Sequence, residues 1–334
     1  MLWLAGLMGL LAVGAVGVID MESSEDDDAP QEGDQVDTGE AAAQSASVPD
    51  ASVSTNTDTD TDIDTDTDTE IDPDTDAGGT SSLATDGADT LTGTDGNDRL
   101  YGEEGDDTVL GLGGDDTLHG EDGQDSLEGG AGDDSMFGHN ADDSMDGGDG
   151  DDYLQGGIGN DLMTGGAGDD AVQGGLDDDT VSGGTGADSL FGGWGNDLIN
   201  GVVDDPDTDT MDDTDQSDYL NGGGGDDVII AGQDDIITAG DGADTIVGGS
   251  WITEAHATDI LDFDADDDNI LLVYDDAEDA PEITLESDPD NPDTTFVMMD
   301  GVTVANILNG ADISIDDIAV MPLSMAQASG MAPL

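Results

Sequence analysis

An aspartate recurs at nine-residue intervals through the middle of this sequence. It falls at Asp89, Asp98, Asp107, Asp116, Asp125, Asp134, Asp143, Asp152, Asp161, Asp170, Asp179, Asp188 and Asp197, and after a break at Asp218, Asp227, Asp235 and Asp244. Carboxylates are ligands for hard, oxygen-seeking cations. If two nine-residue units make one coil, aspartates 18 apart reach nearly the same place in adjacent coils. The expected pairs run from Asp89–Asp107 and Asp98–Asp116 to Asp179–Asp197, with Asp218–Asp235 and Asp227–Asp244 after the break. Without a cation each pair repels; with one it becomes a site. Calcium suits such sites, because flexible glycine turns tolerate six or more oxygen ligands, whereas magnesium demands a tighter octahedron and keeps its waters. Ten or more calcium ions are expected on these aspartates.

Composition removes most other chemistry. The 334 residues include 85 acidic side chains, one basic residue (Arg99), three histidines and no cysteine, for a net charge of −84. Nothing is present to neutralise phosphates, so nucleic acid is excluded as a partner. Lysine is absent, and with it P-loops and Schiff-base catalysis. Missing cysteine removes thiolate zinc sites, disulfides and cysteine nucleophiles, and no G-x-S-x-G elbow occurs. His119, His139 and His256 form no H-x-x-x-H pair. His119 and His139 occupy variable positions and are read as exposed residues rather than ligands. His256 lies beyond the repeats without a partner. The chain is read as a binding or structural protein and not an enzyme.

The aspartates need elements that hold them in register. From Ala84 to Asn200 the chain divides into thirteen nonapeptides without insertion or deletion, from ATDGADTLT to GGWGNDLIN. The first position is Gly in every frame but that of Ala84, and the fourth is Gly except at Ala141 and Asp177. The eighth is always apolar, as in Leu91, Leu100, Val109, Leu118, Leu127 and Met136. The register breaks from Gly201 to Asp212 and returns as DTDQSDYLN, GGGGDDVII, AGQDDIIT and AGDGADTIV. Six glycine- and acid-rich residues suit a turn, and the last three suit a short strand with its middle side chain inward. Repetition winds such units into an all-β solenoid of stacked parallel strands. Two inward residues per coil fall well short of the roughly 1–2 kcal/mol per residue that ordering the coil costs. Cations therefore have to contribute to folding.

These frames resemble G-G-x-G-x-D-x-U-x (U a large apolar residue), the calcium-binding nonapeptide of the repeats-in-toxin, or haemolysin-type, family. The resemblance implies a right-handed parallel β-roll with calcium between adjacent turns. It further implies the sixth-position aspartates as side-chain ligands, completed by turn carbonyls, and type I secretion with folding outside the cell. Ala141 and Asp177 depart from the pattern, and weaker sites are expected beside them.

The flanks differ. Residues 1–19 are one uncharged apolar run, long enough at ~1.5 Å per residue to span a bilayer core. The run is read as a membrane-anchoring helix, with a cleaved secretory signal or a misplaced start as alternatives. Residues 20–83, with their Thr–Asp alternation, have no apolar face and are read as a disordered acidic linker. The β-roll is assigned to 84–248. Residues 249–334 are read as a β-rich cap with strands at 258–263, 269–274, 282–285, 294–299 and 302–307. An Asp300–Gly301 type I′ hairpin joins the last two, and the tail from Asn309 is a candidate secretion signal. These readings converge on a structural or adhesive calcium-binding protein, extracellular or at a bacterial surface, with its surface partner open. The alternatives are the export module of a secreted toxin or hydrolase, and a surface-binding adhesin.

Overall fold

A computed structural model describes residues 79–203, 213, 215–253, 255–276, 279–310, 313–329 and 331. The apolar segment 1–19 and the linker up to residue 78 lie outside the described residues.

Successive nonapeptides alternate between two sheets, one of 13 strands and one of 11. Within each, neighbouring repeat strands are parallel and offset by two nonapeptides. Leu100 lies opposite Leu118 and Leu118 opposite Met136 in the first sheet; Leu91 lies opposite Val109 and Val109 opposite Leu127 in the second. Two nonapeptides thus make one coil, as the 18-residue spacing predicts. The eighth-position side chains from Leu91 to Ile199 form two buried rows between the sheets.

Most repeat strands are longer than the expected three residues. Thr117–Asp122, Tyr153–Ile158 and Thr180–Thr185 each have six, so the turn shrinks to frame positions four to six. The reason lies in the leading glycine. Along each long strand the second and fourth residues face inward, and the fourth is that glycine, as with Leu118 and Gly120, except for Ala239 in Ile236–Asp241. A Cβ at Gly111 would lie 2.3 Å from Asp116 Oδ2 and 2.5 Å from the Gly129 carbonyl oxygen. Here glycine supplies room rather than a turn. Turn freedom is needed at the fourth position, where Gly132 has φ of 130°. Ala141 and Asp177 hold φ of 77° there, keeping the turn at a cost of roughly 1–2 kcal/mol each.

The break after Asn200 leaves the stack in register. Ser189–Trp194 pairs with Tyr219–Gly224, and Leu198–Asn200 with Val228–Ile230. Both ends of the array extend past the boundaries read from sequence. Ser81–Leu83 pairs with Arg99–Tyr101, inside the stretch assigned to the linker. At the other end Thr245–Gly249 continues in parallel to Asn269–Tyr274 and then Ile318–Pro322. The other sheet continues from Ile236–Asp241 to Thr258–Ile260 and Val302–Leu308. The C-terminal β region is therefore continuous with the solenoid.

Thr294–Met299 and Val302–Leu308 form the expected antiparallel hairpin, turning at Asp300 (φ 52°) and Gly301 (φ 83°). Ile283–Ser287 adds an antiparallel edge strand. The strand Ile318–Pro322 and the helix Leu323–Ser329 were not expected from sequence. This end has larger core residues, including Trp251, Phe263, Ile270, Leu272 and Val297, and Trp251 Nε1–H donates to the Ala231 carbonyl at 2.8 Å. Among the described residues, no helix is long and apolar enough to cross a membrane.

Candidate metal centre

Parallel stacking places the sixth-position aspartates one above another, and hydrogen bonds orient each in the same way. From Asp89 to Asp227 the backbone N–H of each aspartate donates to Oδ1 of the aspartate one coil on. Asp89 donates to Asp107, Asp98 to Asp116 and Asp107 to Asp125, at 2.7–2.8 Å. The rungs continue through Asp143–Asp161 and Asp179–Asp197, both at 2.8 Å. The expected pairs Asp218–Asp235 and Asp227–Asp244 form at 2.9 Å. The ladder also crosses the break, with Asp188 donating to Asp218 and Asp197 to Asp227 at 2.8 Å. Those two pairs were missed because their sequence separation is 30 rather than 18. Asp244 adds a last rung to Asp268 at 3.1 Å, a residue hidden from sequence reading by its 24-residue offset.

With Oδ1 anchored, Oδ2 is left over. It is buried without a hydrogen-bond partner in Asp107, Asp116, Asp125, Asp134, Asp143, Asp152 and Asp161. The same holds for Asp170, Asp179, Asp188, Asp197, Asp218, Asp227 and Asp244. Three of the expected ligands differ. Asp89 Oδ2 accepts from the Thr85 N–H and hydroxyl, Asp98 Oδ2 from the Thr94 N–H, and Asp235 Oδ2 from the Gly232 N–H. An orphaned buried carboxylate oxygen costs about 1–3 kcal/mol or more. Two rows of them, most beside the leading glycine of their own frame as Asp116 is beside Gly111, are the donor set of a hard cation. The side chains present fit calcium.

Burial and mutual repulsion set the charge state of these groups. Asp116 and Asp125 are pushed up to about 6, and Asp134 and Asp170 to about 7, chiefly by burial. Asp143 and Asp179 reach about 8, by burial and then by charges one coil away, against the pull of the backbone N–H. These two belong to the frames of Ala141 and Asp177, where the ladder is unbroken. Asp218 reaches about 9 through burial and the charge of Asp235. A cation beside these oxygens would reverse all these shifts.

Sequence reading missed two further sets of residues. Next to the break, both oxygens of Asp215 are buried without a partner, and its carboxyl is pushed up to about 8 by burial and by Asp213, Asp235 and Asp188. Along the outside of the turns, fifth-position residues form a second ladder running the opposite way. The N–H of Asp151 donates to Asp133 Oδ1 at 3.1 Å, that of Asn160 to Asp142 Oδ1 at 2.9 Å, and that of Asp178 to Asn160 Oδ1 at 3.0 Å. Asn and Asp serve alike there, so that ladder needs an acceptor rather than a charge. The excess of Asp and Asn at the fifth position was the available signal. His256 also has a partner, Asp234 Oδ2 at 2.5 Å.

The profile of the RTX calcium-binding nonapeptide repeat matches residues 83–118, 110–145, 119–154, 137–172, 146–181, 173–205, 203–235 and 232–250, about half of the chain in all. The chain belongs to the RTX calcium-binding nonapeptide-repeat family. RTX repeats bind calcium, and the buried aspartate ladder of this RTX chain is consistent with that. No curated protein matches the chain. Among solved structures it is similar to the AlgE6R3 subunit from the Azotobacter vinelandii mannuronan C5-epimerase. The two are 22% identical with a TM-score of 0.19, over 44% of this chain and 80% of that one.

Proposed function

We propose that the protein is a non-enzymatic calcium-loaded module, a right-handed β-roll that folds on meeting calcium outside the cytosol and serves a structural or adhesive role there. The carrying observation is the pair of rows of buried, orphaned Oδ2 atoms. In this reading the aspartates from Asp107 to Asp244 with a free Oδ2 each supply one ligand, and ten or more ions are held. Asp89, Asp98 and Asp235 act chiefly through hydrogen bonds. At cytosolic calcium the carboxylates repel and keep the repeats open, which suits export; outside, bound ions stabilise the folded state by mass action.

Two substitutions test the role of the sixth position. Asp143→Asn keeps the Oδ1 acceptor and removes the charge, so it is expected to raise the calcium midpoint of folding several-fold. Asp142→Asn, on the fifth-position ladder, is expected to change stability by less than about 0.5 kcal/mol. Calcium titrations followed by circular dichroism check both, and equal shifts would remove the proposed ligand role. Position along the array matters too. Asp152 bridges the coils before and after it, with Asp134 donating to its carboxylate and its own N–H reaching Asp170. Asp89 spends its carboxylate on Thr85. Asp152→Ala is therefore expected to raise the midpoint clearly more than Asp89→Ala in the same titration.

A further inference from the structure

Outside the aspartate rows, three side chains of different chemistry converge on one face of the 13-stranded sheet. His119 Nδ1 lies 2.9 Å from His139 Nε2, and His139 Nε2 lies 3.8 Å from Glu121 Oε1. One ligand atom from each of the three lies within 4.8 Å of the other two. Tetrahedral zinc, with ligands at about 2.0–2.2 Å, holds its donors roughly 3.3–3.5 Å apart. The cluster is therefore close to the size of an ion's coordination shell.

The backbone reinforces the arrangement. Glu121 and His139 are register partners on adjacent strands, and both sit at the second frame position with φ of 77° and 80°. Glycine fills that position at Gly130, Gly148 and Gly157, whereas in the preceding frames Glu103 and Leu112 hold it with φ of 68° and 83°. Two side chains with metal-binding atoms occupy a backbone conformation that ordinarily favours glycine, a conformation this position also holds at Glu103 and Leu112. The His119 ring is held by stacking between Tyr101 and Phe137, with centroids 4.7 and 4.8 Å away. A pocket of about 350 Å³ lined by His119, Phe137, His139, Gln155, Gly156 and Gly157 opens beside the cluster.

We propose that His119, Glu121 and His139 form a binding site for a divalent transition metal ion of the zinc type, separate from the calcium rows. Imidazole nitrogen discriminates against calcium and in favour of zinc, copper and nickel. Three protein ligands facing a pocket leave a coordination position for water or an exchangeable ligand.

The test uses Zn²⁺ titrated by calorimetry into the full chain in saturating calcium, so that the carboxylate rows are occupied. One Zn²⁺ per chain is expected to bind apart from weak exchange at surface acids. His139→Gly removes a ligand while restoring the residue that neighbouring coils carry, so its calcium-folded dichroism should match or exceed the wild type in stability. Its zinc affinity should fall by more than the roughly 10–100-fold that loss of an outer-shell partner costs, and His119→Gln should do the same. Zinc should also shift the imidazole NMR signals of His119 and His139 and leave that of His256 in place. Superimposable zinc isotherms for wild type and His139→Gly, or unmoved His119 and His139 signals at saturating zinc, would overturn the proposal.

Discussion

Stripped of calcium at pH 8, the chain is expected to lose the parallel β signal of its repeats, and added calcium is expected to restore it cooperatively. Each ion that binds the folded state alone contributes RT ln(1 + [Ca²⁺]/Kd), about 1.4 kcal/mol at a tenfold excess over Kd. Ten such sites together supply about 14 kcal/mol, as much as the whole stability of an ordinary domain at about 5–15 kcal/mol. Against that stand a core of two large side chains per coil and a net charge of −84. The midpoint should fall near 10⁻⁴–10⁻³ M, the range of extracellular calcium modules. Far-UV circular dichroism during a calcium titration after chelation measures it, and a β spectrum indifferent to EDTA would mean that the orphaned carboxylates are satisfied in some other way.

Acid should partly substitute for calcium. Among the buried aspartates, Asp116, Asp134, Asp143 and Asp218 have folded-state pKa values raised from 3.8 to about 6, 7, 8 and 9, chiefly by burial. A carboxyl whose pKa is higher folded than unfolded favours the folded state at low pH. Its contribution is fully present below about pH 4 and is lost as pH rises through the folded value. Calcium-free protein, prepared on a chelating resin, is therefore expected to regain β structure as pH falls from 8 towards 5. The first gains should come between pH 8 and 6, where Asp143 and Asp179 take up protons. A calcium-free chain that stays coil down to pH 5 would contradict the burial seen for the ladder.

The nine-residue period of Asp and of the apolar eighth position was enough to read the coil, its 18-residue register and the two inward rows, because each follows from a single repeating constraint. Strand length was misread because glycine carries two meanings. At the fourth position it permits a positive φ, while at the first it clears space for the aspartate of its own frame, as at Gly111 beside Asp116, and the two are alike in sequence. The rungs Asp188–Asp218, Asp197–Asp227 and Asp244–Asp268 escaped because additional residues in the sequence change the separation without changing the spatial register. The fifth-position ladder was overlooked because Asp and Asn were sorted by charge, when the geometry asks for an acceptor. His119 and His139 are 20 residues apart, so no short motif contains them. The coil brings them together by placing the ninth position of one frame near the second position of another.

The most direct test is an anomalous-difference map from crystals of the calcium-loaded full chain, collected where calcium scatters anomalously. The account predicts peaks in two rows, each within about 2.3–2.6 Å of the free Oδ2 of sixth-position aspartates from Asp107 to Asp244, with none required at Asp89. Peaks confined to the outer fifth-position carboxylates such as Asp133, Asp142 and Asp151, with Oδ2 of the inner aspartates unliganded, would contradict it.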